Sequence, residues 1–330
     1  MFGRALSRAA RSASRFQPSL TRGFATPQAA ILNRNMGEHQ WYVHLSREDG
    51  ANLNTIKAAI KNVRAECASK GINLVVGMGP TLLEDVTNDV PDDFQSYNTI
   101  KSVDGSGREA KGTQEELLLW LTHDRKDLVW KTQYDARQAL KGHMKVARET
   151  MTFTTPSHKW DDMTGFVDGT GNPEPERDIE VAIVPEGQAG AGGSFIIAQR
   201  WVHDLEGWNK QSVPEQEDVF GRTKEDSVRL DEQKDFSHLS HVELREGAAA
   251  GDASAPKRDE MSRRSTPYAF PDGSTGLYFM AFCARQGPLR ERMEAMYGTN
   301  GQVRDRLTDF SNPASGSYYF APSEEVLESC

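Results

Sequence analysis

Gln40-Trp41-Tyr42-Val43-His44-Leu45 alternates apolar and polar side chains as a β-strand does, and the segments after it decide the fold. Asn52 to Lys70 reads as an amphipathic helix, and Ile72-Asn73-Leu74-Val75-Val76 returns to strand. Glu115 to Leu121 is apolar enough for a buried strand, and Asp124 to Leu140 places Leu128, Thr132, Ala136 and Leu140 at helical spacing. Strand, helix, strand, strand, helix, strand is the ferredoxin-like order. The second half has similar ingredients: Ser194 to His203 and Gly276 to Ala284 are β-rich, while Pro288 to Tyr297 and Arg304 to Phe310 look helical. The two halves show no sequence repeat. Long loops are expected over Val90 to Ala110 and over Arg245 to Asp259, the second rich in Gly, Ala and Ser and read as a surface insertion.

Between the halves lies Gly165-Phe166-Val167-Asp168-Gly169-Thr170-Gly171-Asn172-Pro173, one carboxylate set among glycines. Gly165, Gly169 and Gly171 can adopt backbone angles closed to other residues and let a bulky ligand lie against the main chain. Asp168 follows two apolar residues, a setting that raises a carboxyl pKa and suits it to proton transfer. Asp-Gly and Gly-Asn-Pro are also ordinary turn sequences, so the segment alone is equally a solvated turn.

A chain of 330 residues suggests two domains of ordinary size. Cys67, Cys283 and Cys330 are odd in number and widely spaced, which argues for a reducing compartment and against a disulfide scaffold. No apolar run is long enough for a membrane span. From Met1 to Gly37 there are arginines at Arg4, Arg8, Arg11, Arg15, Arg22 and Arg34 and no acidic residue, the composition of a transit peptide. A mitochondrial address, with the matrix as destination, is expected; a plastid address and a basic disordered arm are the alternatives. Without the five arginines from Arg4 to Arg22 the formal charge of −9 becomes −14, so no basic face is offered to nucleic acid.

Two further segments follow the glycine-rich one: Phe236-Ser237-His238-Leu239-Ser240 and Ser262-Arg263-Arg264-Ser265-Thr266-Pro267-Tyr268. In this order the three resemble the dye-decolourising (DyP-type) haem peroxidases, in particular the compact bacterial-type subgroup. The resemblance extends through Gly192 to Leu205, Glu217 to Lys224, Gly276 to Ala284 and Tyr318 to Ser323. It covers roughly residues 115 to 325, is looser over 38 to 114 and is absent from the first thirty or so.

The resemblance implies two ferredoxin-like α+β domains side by side, of the dimeric α+β barrel type, over 38–160 and 161–325, with residues 326–330 as a tail. One haem b per subunit would sit in the C-terminal domain. His238 matches the family's proximal iron ligand, with His241 as the rival histidine. Asp305 is the candidate to fix the axial imidazole, and Asp309 the alternative. Asp168 matches the distal acid that shuttles a proton on hydrogen peroxide, and Arg263 the arginine that stabilises charge as the O–O bond breaks. Arg264 is adjacent in sequence, and the spacing to Ser265 and Pro267 favours Arg263. Ser265 falls where relatives carry a small polar residue and is expected to hold a distal water. Gly165 and Gly169 are expected to lie against the cofactor.

The implied cycle reduces hydrogen peroxide through a ferryl species and then oxidises an organic donor in one-electron steps. Trp160, Trp201, Trp208 and Tyr268 lie near the motifs and are read as packing rather than relay residues. A homo-oligomer is also implied. Two other readings use the same residues differently: a haem-handling protein that stores, delivers or strips haem, and a haem-free scaffold. The glycines of 165–171 lack the strand, helix and lysine of a nucleotide loop, His238 and His241 lack the partners of a zinc site, and Gly77 to Pro80 reads as a plain turn.

Overall fold

The structure, a computed structural model, describes residues 25–154, 162–243 and 260–330. Met1 to Phe24, Trp160 and the loop from Arg245 to Asp259 lie outside the described residues. Residues 25–37, expected to belong to the N-terminal arm, are described and pack against the rest of the fold through Gln28 and Ile31. α1 (Ala29–Leu32) buries Ile31, and the Gln28 side chain accepts from Val76 N–H at 2.8 Å and donates to the Val76 and Pro322 carbonyls. A buried amide is held in place by such partners.

β1 (His39–Arg47) opens the first half. α2 (Leu53–Lys70) follows, capped by the Asn52 side chain on Thr55 N–H and ended by Gly71 at φ 68°; Ile56, Ala59, Ile60, Val63 and Cys67 form its buried stripe. β2 (Asn73–Met78) runs into α3 (Pro80–Val86), so Gly77 to Pro80 is more than a turn: Gly79 caps a helix and Pro80 starts it. A hairpin of β3 (Ile100–Lys101) and β4 (Glu109–Ala110) interrupts the expected loop. β5 (Leu117–His123), α4 (Lys126–Leu140) and β6 (Met144–Phe153) complete the half.

In the second half α5 (Asp178–Ala182) leads to β7 (Ser194–His203). The short helices α6 (Leu205–Asn209), α7 (Val213–Phe220) and α8 (His238–Val242) stand where the first half has one long helix. β8 (Ser262–Arg263), β9 (Thr266–Ala269), β10 (Thr275–Cys283) and α9 (Gly287–Met296) follow, then β11 (Ser311–Pro313), β12 (Ser317–Ala321) and α10 (Glu324–Glu328). α10 buries Leu327, so the expected tail is packed. Arg304 to Phe310, expected as a helix, forms only a 3₁₀ turn at Arg306–Asp309. Asp305 caps it, its carboxylate accepting Leu307 N–H at 2.8 Å.

The strands form one sheet in the order β6-β1-β5-β2-β12-β7-β10-β8, with β9 also on β10 and β11 on β7. The first four strands read fourth, first, third, second, the ferredoxin arrangement, and the last four repeat it. The fold is therefore ferredoxin-like α+β in both halves, despite the lack of a sequence repeat. The halves meet where Phe320 pairs with Met78, and the sheet curls until Thr152 of β6 bonds Thr266 of β9 at 2.8 Å.

This curl gives the sheet two covered faces. Outward-pointing Val43, Leu45, Ile197 and Ala281 pack with the helices, and inward-pointing Tyr42, Trp120, Tyr278 and Tyr319 fill a second core. Side chains alternate between the two along each strand. On β10, Leu277 and Phe279 face the helices while Tyr278 and Met280 face inward.

Candidate active site

Between the outer face of the second half and α8 and α9 lies a cavity that opens to solvent. Ile197 and Trp201 of β7, Leu277 and Phe279 of β10, and Met293 and Met296 of α9 give it apolar walls. Strands, helix and glycine-rich loop all bring polar groups to it, among them Arg263, His238 and Asp168.

The loop enters as a pair of tight turns. Gly165 N–H bonds the Asp162 carbonyl, Asn172 N–H bonds the Gly169 carbonyl, and Gly165 and Gly169 sit at φ 82° and 90°, the left-handed region. Gly169 lines the cavity beside Asp168. Gly165, expected against the cofactor, is not among the lining residues; a Cβ there would lie 2.8 Å from Lys224 Cε, so it is closed off behind the wall. Gly171 makes room for the arginine, since a Cβ there would lie 3.1 Å from Arg263 Nη2.

Asp168 is half-buried, its access being to the cavity it lines, and its carboxylate accepts the N–H of Gly169 at 2.7 Å. Burial raises its pKa. The Arg263 charge opposes that, the Asp162 carboxylate adds to it, and the Gly169 N–H and His238 act with Arg263.

Arg263, at the end of β8, lines the same cavity. Asn172 holds it: the Asn172 Oδ1 accepts the Arg263 backbone N–H at 2.9 Å and its Nε–H at 3.4 Å, while Asn172 Nδ2 donates to the Arg263 carbonyl at 3.2 Å. In the sequence Asn172 is only part of a turn signal. What it contributes, a bracket across 91 residues of chain, has no local signature.

Arg264 points elsewhere. It is buried, donating to Ser262 Oγ, the Ile31 carbonyl and Asp178, which also pairs with Arg34 at 2.6 Å. Ser265 lines an adjoining chamber with Arg263 and Thr266, and its buried Oγ has no hydrogen-bond partner.

His238 lines the same cavity and begins α8 behind the Ser237 cap. Its Nδ1 lies 2.7 Å from Asp305 Oδ2, and Asp305 is fully buried. A carboxylate there holds the proton on Nδ1 and leaves Nε2 as the donor to a metal. Asp309, the alternative, pairs with Arg304 at 2.8 Å. His241 has no nitrogen to give, because Nδ1 and Nε2 each lie 2.6 Å from a backbone carbonyl, of Ser237 and Val303.

Two polar groups on the wall were not singled out from sequence. Thr164 Oγ1 is buried without a hydrogen-bond partner, and His203 Nε2 faces the Asp162 carboxylate at 3.5 Å; both residues line the cavity. An orphaned buried atom such as Thr164 Oγ1 fits a polar ligand group. Arg222 is the third, a cation on the wall whose pKa burial lowers. An apolar slot with an imidazole donor on one side and polar groups at its rim suits a haem. Of the aromatic residues near the motifs, Trp201 lines the cavity, Trp208 is buried and donates to the Thr164 carbonyl, and Tyr268 donates to the Trp201 carbonyl.

A family model described as "Dyp-type peroxidase, C-terminal" matches residues 159–326, half of the chain and all of the segments just described. The chain belongs to the Dyp-type peroxidase family. A dye-decolorizing peroxidase of Brevibacterium linens is 27% identical over 280 residues, which is 84% of this chain and 74% of that protein. One from Mycobacterium tuberculosis is 32% identical over 170 residues, about half of each chain. Among solved structures, DyPB from Rhodococcus jostii RHA1 superposes with a TM-score of 0.82 at 25% identity, over 93% of this chain and 98% of its own. A dye-decolorizing protein from V. cholerae superposes at 0.79 with 28% identity, over 91% and 98%. A variant of the Rhodococcus protein is in complex with heme, with a TM-score of 0.81. The Dyp-type peroxidase described here is a haem-dependent oxidoreductase that uses peroxide.

Proposed function

We propose that His238 would hold the iron of haem b in this peroxidase, that Asp168 and Arg263, which line the same cavity, work together on hydrogen peroxide, and that an organic molecule is the electron donor. One observation carries the reading: Asp168 and Arg263 line one cavity with His238, whose far nitrogen a buried carboxylate holds. When bound, haem would supply the redox chemistry, a metal able to accept and pass on the two oxidising equivalents of peroxide.

The chain's own residues do the rest. Asp305 accepts the Nδ1 proton of His238 and strengthens Nε2 as a donor. Asp168 takes the proton from one peroxide oxygen and returns it to the other, which leaves as water; its raised pKa brings it nearer to the pH at which it must do both. Arg263 faces the negative charge that develops between those two steps. Ser265, with a free buried hydroxyl, positions a water beside it. Arg222, a cation on the cavity wall, would meet an anionic group of the cofactor. The apolar walls keep out bulk water.

Storage or delivery of haem needs the axial ligand but neither Asp168 nor Arg263. We further read residues 38–160 and 161–325 as two domains, the arginine-rich segment as a mitochondrial transit peptide and the mature protein as a homo-oligomer. The support is the doubled strand order, the composition of Met1 to Phe24, and what the family resemblance implies.

The test is the absorption spectrum of the haem-loaded protein before and after one equivalent of hydrogen peroxide, with His238→Ala beside it. A Soret band that shifts with peroxide, and that is weakened or altered in the variant, supports the reading. A spectrum indifferent to peroxide overturns it.

A further inference from the structure

The inner core holds a cluster of redox-active side chains that no step above uses. His44 of β1 sits between two phenols, with Nδ1 2.7 Å from the Tyr319 hydroxyl and Nε2 2.5 Å from the Tyr278 hydroxyl. The Tyr278 ring stacks on Tyr42, centroids 3.6 Å apart and planes 21° from parallel. All four residues are at most 2% exposed.

This cluster is one sheet thickness from the cavity. Tyr278 lies between Leu277 and Phe279, which both line the cavity from the opposite face of β10. On its other side the Tyr42 hydroxyl bonds Thr266, which lines the adjoining chamber, at 3.2 Å.

We propose that Tyr278 holds one oxidising equivalent as a neutral tyrosyl radical, with His44 as its proton acceptor. The inference rests on the reading of the chain as a haem peroxidase, because that reaction supplies the oxidant. One electron leaves the Tyr278 ring for the peroxide-oxidised cofactor. The phenolic O–H bond breaks as an N–H bond forms on His44 Nε2, giving a tyrosyl radical and an imidazolium. Nδ1–H of that imidazolium donates to the Tyr319 oxygen. An electron from the donor later reduces the radical, and the proton returns from Nε2 to the phenolic oxygen.

The physical case is proton management. An oxidised phenol sheds its proton, and in a core sealed from water that proton must go to a partner already bonded to it. A neutral imidazole bonded at both nitrogens is such a partner, provided Nδ1 carries the hydrogen. Burial, with the Arg148 charge, pushes the His44 pKa down to about 3, so the imidazole is neutral at rest and gives the proton back when the electron returns. The same burial keeps the radical from solvent and from chance reductants. The stacked Tyr42 ring shares the electron deficiency.

The experiment is electron paramagnetic resonance of the haem-loaded protein freeze-quenched after one equivalent of peroxide, with optical spectra of the same samples. The expected result is a tyrosyl signal that narrows when the protein is made with ring-deuterated tyrosine and shows coupling to nitrogen when made with 15N-histidine. It falls at least tenfold in Tyr278→Phe and persists in Tyr97→Phe, whose ring is on the outer face. Tyr278→Phe keeps the ring that packs on Tyr42; should it still fail to fold, the isotope signatures in the unaltered protein decide by themselves. An undiminished signal in Tyr278→Phe, a signal insensitive to tyrosine deuteration, or a tyrosyl without coupling to histidine nitrogen overturns the proposal. A Soret band unmoved by peroxide overturns the peroxidase reading and this inference with it; a band that moves without the His44-coupled radical overturns this inference alone.

Discussion

Replacing Asp305 by asparagine isolates what a buried carboxylate does for the axial histidine. The side chain keeps its shape and can still accept Leu307 N–H through its oxygen, but the charge facing His238 Nδ1 at 2.7 Å is lost. A hydrogen bond to a charged group contributes about 1.5–3 kcal/mol. At about 1.4 kcal/mol per factor of ten, that is roughly tenfold to a hundredfold in the strength of the iron bond. A neutral partner also donates less electron density through the imidazole, so the ferric state loses more than the ferrous state. The midpoint potential then rises, by about 59 mV for each tenfold difference between the two states. Haem titration followed at the Soret band and spectroelectrochemistry measure the two effects. Asp309→Asn is the control, since Asp309 faces Arg304 instead. Wild-type affinity and potential in Asp305→Asn, or the same losses in Asp309→Asn, would refute the reasoning.

Arg263→Leu removes the guanidinium beside Asp168, and the rate constant for reaction with peroxide is expected to fall roughly a hundredfold in stopped-flow absorbance, a typical cost of losing one such donor. Asn172→Ala takes away the bracket on the Arg263 backbone and should lower stability by about 1–3 kcal/mol in urea titration; it should also slow the peroxide reaction although Arg263 is intact. Because burial raises the Asp168 pKa, the rate of the peroxide reaction should drop on acidification at a pH above that of an ordinary aspartate. Asp168→Asn should abolish that pH dependence. The native protein also binds the Asp168 proton more tightly than the unfolded chain does. That contribution to stability is present below the unfolded pKa and is lost as pH rises through the folded one. Asp168→Asn should therefore raise the melting temperature of the haem-free protein at pH 7 relative to wild type, and a lower one would contradict the assignment of burial as the main cause.

Local pattern was enough for the long elements. Strand alternation at Gln40 to Leu45 and the Ile56, Ala59, Ile60, Val63, Cys67 stripe of α2 reflect periods of two and 3.6 that any sequence shows. The segments around Asp168, His238 and Arg263 were legible only together, through their order and the family resemblance it carries; each alone reads equally well as a turn, a surface histidine or a surface arginine. The turn at Arg306–Asp309 was misread as a longer helix because Asp305 caps it while committing its other oxygen to His238, a partner 67 positions away.

Long-range choices were decided by the tertiary structure. Asp305 and Asp309 are carboxylates four positions apart in one short segment, and only packing buries one against His238 and leaves the other on Arg304. Likewise Arg263 and Arg264 are neighbours that β8 directs to different places, one to the cavity with Asn172, the other to the buried Asp178. His44 looked like one polar position of a strand until the sheet curled and set it between Tyr278 and Tyr319, 234 and 275 residues further on. The sequence by itself determined periodicity, caps and the residue types of the site, which are local properties of a chain. Which polar groups share a desolvated space depends on how two halves close over one another, and no stretch of sequence contains that distance.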